Sequence, residues 1–162
     1  MGMSGMVPAR ADVEVLLIST DDEGRLRYRR VEGRLYADDA NVDDVVLNLV
    51  GIHGGGQGVW SHSTSWHRND IGNVVLTYAL LPDPDPDLGV LRMIPDTGEM
   101  PKRDSDHPTP DVLSSDEVAR HAVSHLSFIL KFGTNQHVPK LPENLLRALR
   151  RRAPGTAGQI IP

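Results

Sequence analysis

A chain of 162 residues, 39% hydrophobic and 24% charged, has the composition of one globular domain: long enough to bury a core, too short for two comfortable domains. The lack of cysteine excludes disulfides, thiolate nucleophiles and thiolate metal sites, so zinc would have to be held by histidine and carboxylate. A formal net charge of −5 argues against nucleic acid as a partner, and no apolar run resembles a membrane span or a signal peptide, so a cytoplasmic protein with no membrane partner is expected.

Residues 1–11 carry three methionines, two glycines and a proline and read as a disordered leader. Residues 12–152 read as a single globular domain and 153–162 as a loose tail. Asp12 to Thr20 is rich in β-branched and aliphatic residues and ends in the turn cluster Asp21, Asp22, Glu23 and Gly24. Arg25 to Val31 then returns as the second arm of a hairpin. Leu26 and Tyr28 face inward, while Arg25, Arg27 and Arg29 form a row that is either an anion site or, the favoured reading, a solvated face balanced by nearby acids.

Asp38 to Val50 is the first helix, with Asp38, Asp39 and Asn41 as candidate N-caps and Asp43 and Asp44 where a helix N-terminus favours negative charge. Val42, Val45, Val46, Leu49 and Val50 share one face, which should pack on a sheet. The glycines from Gly51 to Gly58 follow. A phosphate cradle needs a strand before such a loop and a helix after it, and here the order is reversed, so a loop at a pocket mouth is the better reading.

Gly58 to Leu81 reads as the central hairpin, with arms Val59 to Trp66 and Val74 to Leu81 joined by His67 to Asn73. Strict alternation would place Trp60, His62, Thr64 and Trp66 on one face. The alternating prolines and aspartates from Pro82 to Asp87 form a stiff spacer that cannot wrap its acids around one calcium ion. Gly89 to Ile94 is a candidate short strand, and Pro95 to Pro110 a long exposed loop.

Ser114, with Glu117 three residues on, makes a capping box for a second helix that runs to about Phe132 and stops at Gly133. Its apolar arc holds Val118, Ala122, Leu126 and Ile129 together with His121, His125, Phe128 and Phe132, with His125 near the centre. Pro142 opens a short last helix with Leu145, Leu146 and Leu149 inward and Arg147, Arg150, Arg151 and Arg152 outward or at its C-terminal end.

Two strands, a glycine-bounded helix, two or three strands and a second helix is an order that resembles the Nudix fold. Laid on Gly33, that family's box matches Gly33, Leu49 and Gly54, but its acidic positions fall on Asp39, Asn48, Gly51 and Ile52, so the metal-binding glutamates are missing. The resemblance implies an α/β/α sandwich without the box chemistry. Separately, His62 to Trp66, Val74 to Tyr78 and His121 to Leu126 are similar to segments of small uncharacterised actinobacterial proteins, a resemblance that carries no activity.

The fold expected is therefore α+β, an α/β/α sandwich that is Nudix-like by analogy, with a mixed sheet of two hairpins plus a short strand, two main helices and a short C-terminal one. The function expected is that of a non-catalytic ligand-binding or protein-interaction module with no cofactor, its pocket lined by Trp60, His62, Trp66, Tyr78, His121 and His125. The alternatives are a hydrolase using zinc on His121, His125 and His62, since two histidines four apart on a helix can bind one ion, and a structural homodimer. Ser63 and Ser65 lack the strained turn of a hydrolase nucleophile.

Overall fold

A computed structural model of the chain describes residues 9–36, 38–39, 41–53, 58–96, 114–133, 139–155 and 158–159. In chain order the elements are β1 (Ala9–Thr20), β2 (Leu26–Tyr36), α1 (Val42–Leu49), β3 (Trp60–Arg68), β4 (Val74–Leu81), β5 (Arg92–Met93), α2 (Ser115–Phe132), α3 (Glu143–Arg150) and β6 (Gly158–Gln159). The fold is α+β. One mixed sheet in the order β5-β2-β1-β4-β3-β6 carries α1 on one face and α2 with α3 on the other.

β1 lies at the centre, antiparallel to β2 and parallel to β4. A strand covered on both faces must be apolar on both, which is why Val13 to Ile18 reads as a nearly continuous hydrophobic run rather than an alternating one. Val13, Val15 and Leu17 pack under α1, and Leu16 and Ile18 pack under α2 and α3. The β1–β2 turn is closed by Asp21, whose Oδ1 accepts from the backbone N–H of Glu23 and Arg25 at 2.9 and 2.8 Å.

The first helix is shorter than expected. It begins at Val42 because Asn41 supplies the cap, its side chain accepting from the Asp43 N–H, with Asp43 and Asp44 in the first turn. Its docking depends on Gly33 in β2, where an added Cβ would lie 2.4 Å from Cδ2 of Leu49. The second helix matches the sequence reading at both ends. Both halves of the Ser114–Glu117 capping box are formed, and at Gly133 a Cβ would meet the Ile129 carbonyl oxygen at 2.6 Å, so a side chain there would collide with the last turn. Val123 and Ala119 join its buried face, whereas Phe132 is exposed.

Several segments differ from expectation. The arginine row faces solvent only at its start: Arg25 is exposed and pairs with Asp21 and Glu23, but Arg27 is half-buried and donates to Ser19 Oγ, and Arg29 is buried. Arg29 forms a two-pronged bond with Asp83 at 2.7 and 2.8 Å, which ties the proline-aspartate spacer to β2. Arg152 is likewise buried, donating to the carbonyls of Ile94 and Pro95 and pairing with Asp96. Past it the chain stays docked: the Gly155 N–H donates to the Ser124 carbonyl, and β6 pairs parallel with β3. β1 also starts earlier than Asp12, since Ala9 and Ala11 pair with Tyr36 and Leu35. Residues 97–110 of the long loop lie outside the described residues.

The buried Arg29–Asp83 pair yields a stability prediction. Asp83→Ala leaves a guanidinium desolvated without its partner and should cost about 3–5 kcal/mol, while the double change Arg29→Met with Asp83→Leu should recover most of that loss. Urea unfolding of the three proteins measures it; a loss of under about 1 kcal/mol in the single variant would mean that water reaches the pair.

Candidate functional site

The residues singled out in the sequence divide between the two faces of the sheet. Trp60 stands opposite Leu81 and His62 opposite Ala79, on the face covered by α2. A register shift between Ser63 and Ser65 then inserts one residue, Thr64, so that Trp66 stands opposite Leu76. Leu76 and Tyr78 pack into the α1 core, and Tyr78 hydrogen-bonds Ser63. Trp66 and Tyr78 therefore do not share a pocket with Trp60 and His62; an extra residue in a strand of period two reverses every side chain beyond it.

The other four do gather. The Nε2 atoms of His62 and His125 face each other at 3.2 Å, and Nδ1 of His125 lies 3.3 Å from the Gly155 carbonyl oxygen. Trp60 sits against His62 and Phe128 stacks on His125, with ring centroids 6.1 and 6.3 Å apart. Burial lowers the pKa of His62, with His125 adding to the effect, and burial lowers that of His125 against an opposing hydrogen bond to Gly155. His121, one turn earlier, is lowered first by burial and then by His125, opposed by a hydrogen bond to the Thr64 backbone. Among the described residues no group of three or more His, Cys, Asp or Glu side chains is placed to hold a metal ion.

A cleft of about 630 Å³ opens elsewhere on the same face, where β1 and β4 begin and α2 presents Ser115. Its floor is Glu14. This carboxylate projects from the central strand on the same side as Leu16 and Ile18, and only 2% of the residue is exposed. Oε2 accepts from Arg30 Nε at 2.7 Å and Oε1 from Thr77 Oγ1 at 2.5 Å. Arg30 is shared with Glu32. His67 comes from β3, not from a loop as the sequence suggested, and brings Nδ1 to 3.9 Å from Glu14 Oε1, beyond hydrogen-bond reach. That buried Nδ1 has no hydrogen-bond partner. Burial lowers the His67 pKa, partly offset by Glu14 and reinforced by Arg30. Around the rim are Asp12, which accepts from Asn69 Nδ2 at 3.3 Å, and Arg34, whose Nε is 3.9 Å from Asp12 Oδ1.

None of the six residues expected to line a pocket lines this cleft. The sequence did hold a signal for it: Glu14 is the one charged residue between Val13 and Ser19, in a run otherwise apolar enough to be buried on both faces. A carboxylate in such a place must be matched by a cation or donors, and Arg30 lies opposite Leu16 in the register while Thr77 lies beside Glu14 itself. No family model, curated protein or solved structure matches the chain.

Four histidines whose folded pKa is depressed set the acid limb of stability. Each holds a proton less tightly when folded than when unfolded, so its contribution is complete above the unfolded value of about 6.5 and falls away as pH drops below it. Urea unfolding between pH 8 and pH 5 should show stability falling below about pH 6.5, with a shallower slope in His67→Gln. Equal slopes in parent and variant would mean that His67 titrates as it does in water.

Proposed function

We propose that this chain is a non-catalytic module that binds a small polar molecule in the cleft floored by Glu14. The observation that carries the reading is a buried carboxylate, already answered by Arg30 and Thr77, at the base of an open space of about 630 Å³. Small-molecule sites fall in the range of roughly 300–1,000 Å³, so the volume suits a ligand of modest size. Both oxygens of Glu14 are occupied by donors, an arrangement that fixes a wall in position and leaves the carboxylate poorly placed to take a proton from a substrate.

The lining mixes charges, with Asp12, Glu14 and Glu32 against Arg30 and Arg34. Arg34 is largely exposed and, among the described residues, is held by a long contact to Asp12, so it can turn toward an anionic group on a ligand at little cost. The acids and the unpartnered His67 Nδ1 suit donors and acceptors on the remainder. A ligand carrying both an anionic group and hydrogen-bond donors fits this wall better than a purely apolar one. The class of function is the one read from the sequence, with the site moved from the tryptophans and histidines to the far end of the sheet.

Screening small amino acids, hydroxy acids and their amides by thermal shift tests the proposal. A ligand that stabilises the parent should bind about tenfold more weakly to Arg34→Ala, the loss of one charge-assisted hydrogen bond worth roughly 1.5 kcal/mol, and with unchanged affinity to Arg150→Ala on α3. Equal affinity for the parent, Arg34→Ala and His67→Gln would place binding outside the cleft.

A further inference from the structure

We infer that His62 and His125 form a binding site for one nitrogen-preferring divalent transition ion, completed by water and separate from the cleft. The two Nε2 atoms are 3.2 Å apart, with the rings tilted by 30° and their centroids 5.2 Å apart. Two imidazoles bound to one tetrahedral ion at 2.0–2.1 Å place their nitrogens about 3.3 Å apart, so the pair already holds the spacing that a shared ion requires.

The protonation pattern agrees with this. A carbonyl oxygen can only accept, so the contact between His125 Nδ1 and Gly155 O puts the His125 proton on Nδ1 and leaves the Nε2 lone pair directed at His62. That is the outer contact by which a ligating histidine is held in its tautomer and orientation. In the metal-free chain, His62 must carry its proton on Nε2 to bond His125. On binding, that proton moves to His62 Nδ1, the hydrogen bond is lost, and two neutral rings each present a lone pair to the ion with no net proton release. Burial favours the neutral form of both rings. Trp60 and Phe128 flank the pair and limit water around it.

The neighbouring His121 is not a ligand in this assignment, because no third His, Cys, Asp or Glu side chain among the described residues is placed to complete a cluster with the pair; its own Nε2 is buried without a hydrogen-bond partner. This separates the inference from the three-histidine arrangement that the spacing alone suggested. With two protein ligands, Cu²⁺ should bind most tightly among the common ions, followed by Ni²⁺ and Zn²⁺.

Trp60 serves as the reporter, since its ring centroid is 6.1 Å from that of His62 and bound Cu²⁺ quenches indole emission. In a Trp66→Phe background, titration of the metal-free full chain with Cu²⁺ should quench Trp60 saturably with one equivalent. His62→Gln and His125→Gln should each weaken the half-saturation point at least tenfold, and His121→Gln should change it by no more than about twofold. His62 is only half buried, so His62→Gln tests the site even where His125→Gln fails to fold, as circular dichroism would show. Absence of saturable quenching in the background protein, or quenching unchanged in His62→Gln, overturns the inference. A His121→Gln loss equal to that of His62→Gln overturns the two-ligand assignment.

Discussion

β1 is covered by helices on both of its faces, and the placement of everything else follows from that constraint. A strand in this position can offer water neither face, so each flank must supply a layer, and the chain provides α1 from one side and the α2–α3 pair from the other. It can also leave neither edge open, and it pairs with β2 antiparallel and with β4 parallel. The parallel pairing cannot be made by a tight turn, which accounts for the crossover through α1 and β3 before the chain returns beside β1.

Within that frame the polar interior is organised around a few charged side chains, each with a structural consequence. Glu14 sits on the strand least able to tolerate it and is met by Arg30 from one neighbour and Thr77 from the other, so the carboxylate reinforces the order β2-β1-β4. Arg29 with Asp83 and Arg152 with the carbonyls of Ile94 and Pro95 hold down two connecting segments that have no regular structure of their own. Pairs of this kind add little net stability, because desolvation offsets attraction, but an error in register would leave a bare charge inside the protein. They act against misplacement more than they strengthen the correct fold.

The two candidate sites occupy the same sheet face and differ in how they are built. The Glu14 cleft lies where the strands run on past the helical cover, and α2 presents its first residue there. The histidine pair lies under α2 itself, where β3, α2 and the segment around Gly155 meet. One is an open wall of mixed charge; the other is a half-enclosed contact between two imidazole rings.

Local chemistry was legible in the residues themselves. The capping box at Ser114 and Glu117, the stop at Gly133, the apolar stripe that puts His125 inside, and the two antiparallel hairpins all follow from interactions between residues a few positions apart, which a sequence displays directly. The sheet order, the Thr64 insertion that turns Trp66 away from Trp60, and the partners of Glu14, Arg29 and Arg152 came only from the tertiary structure. Glu14 and Thr77 are 63 positions apart, and Arg29 and Asp83 are 54 apart. No periodicity encodes such a meeting, because it depends on which strand lies beside which. That choice is made by burying β1 from both sides, a property of the whole chain.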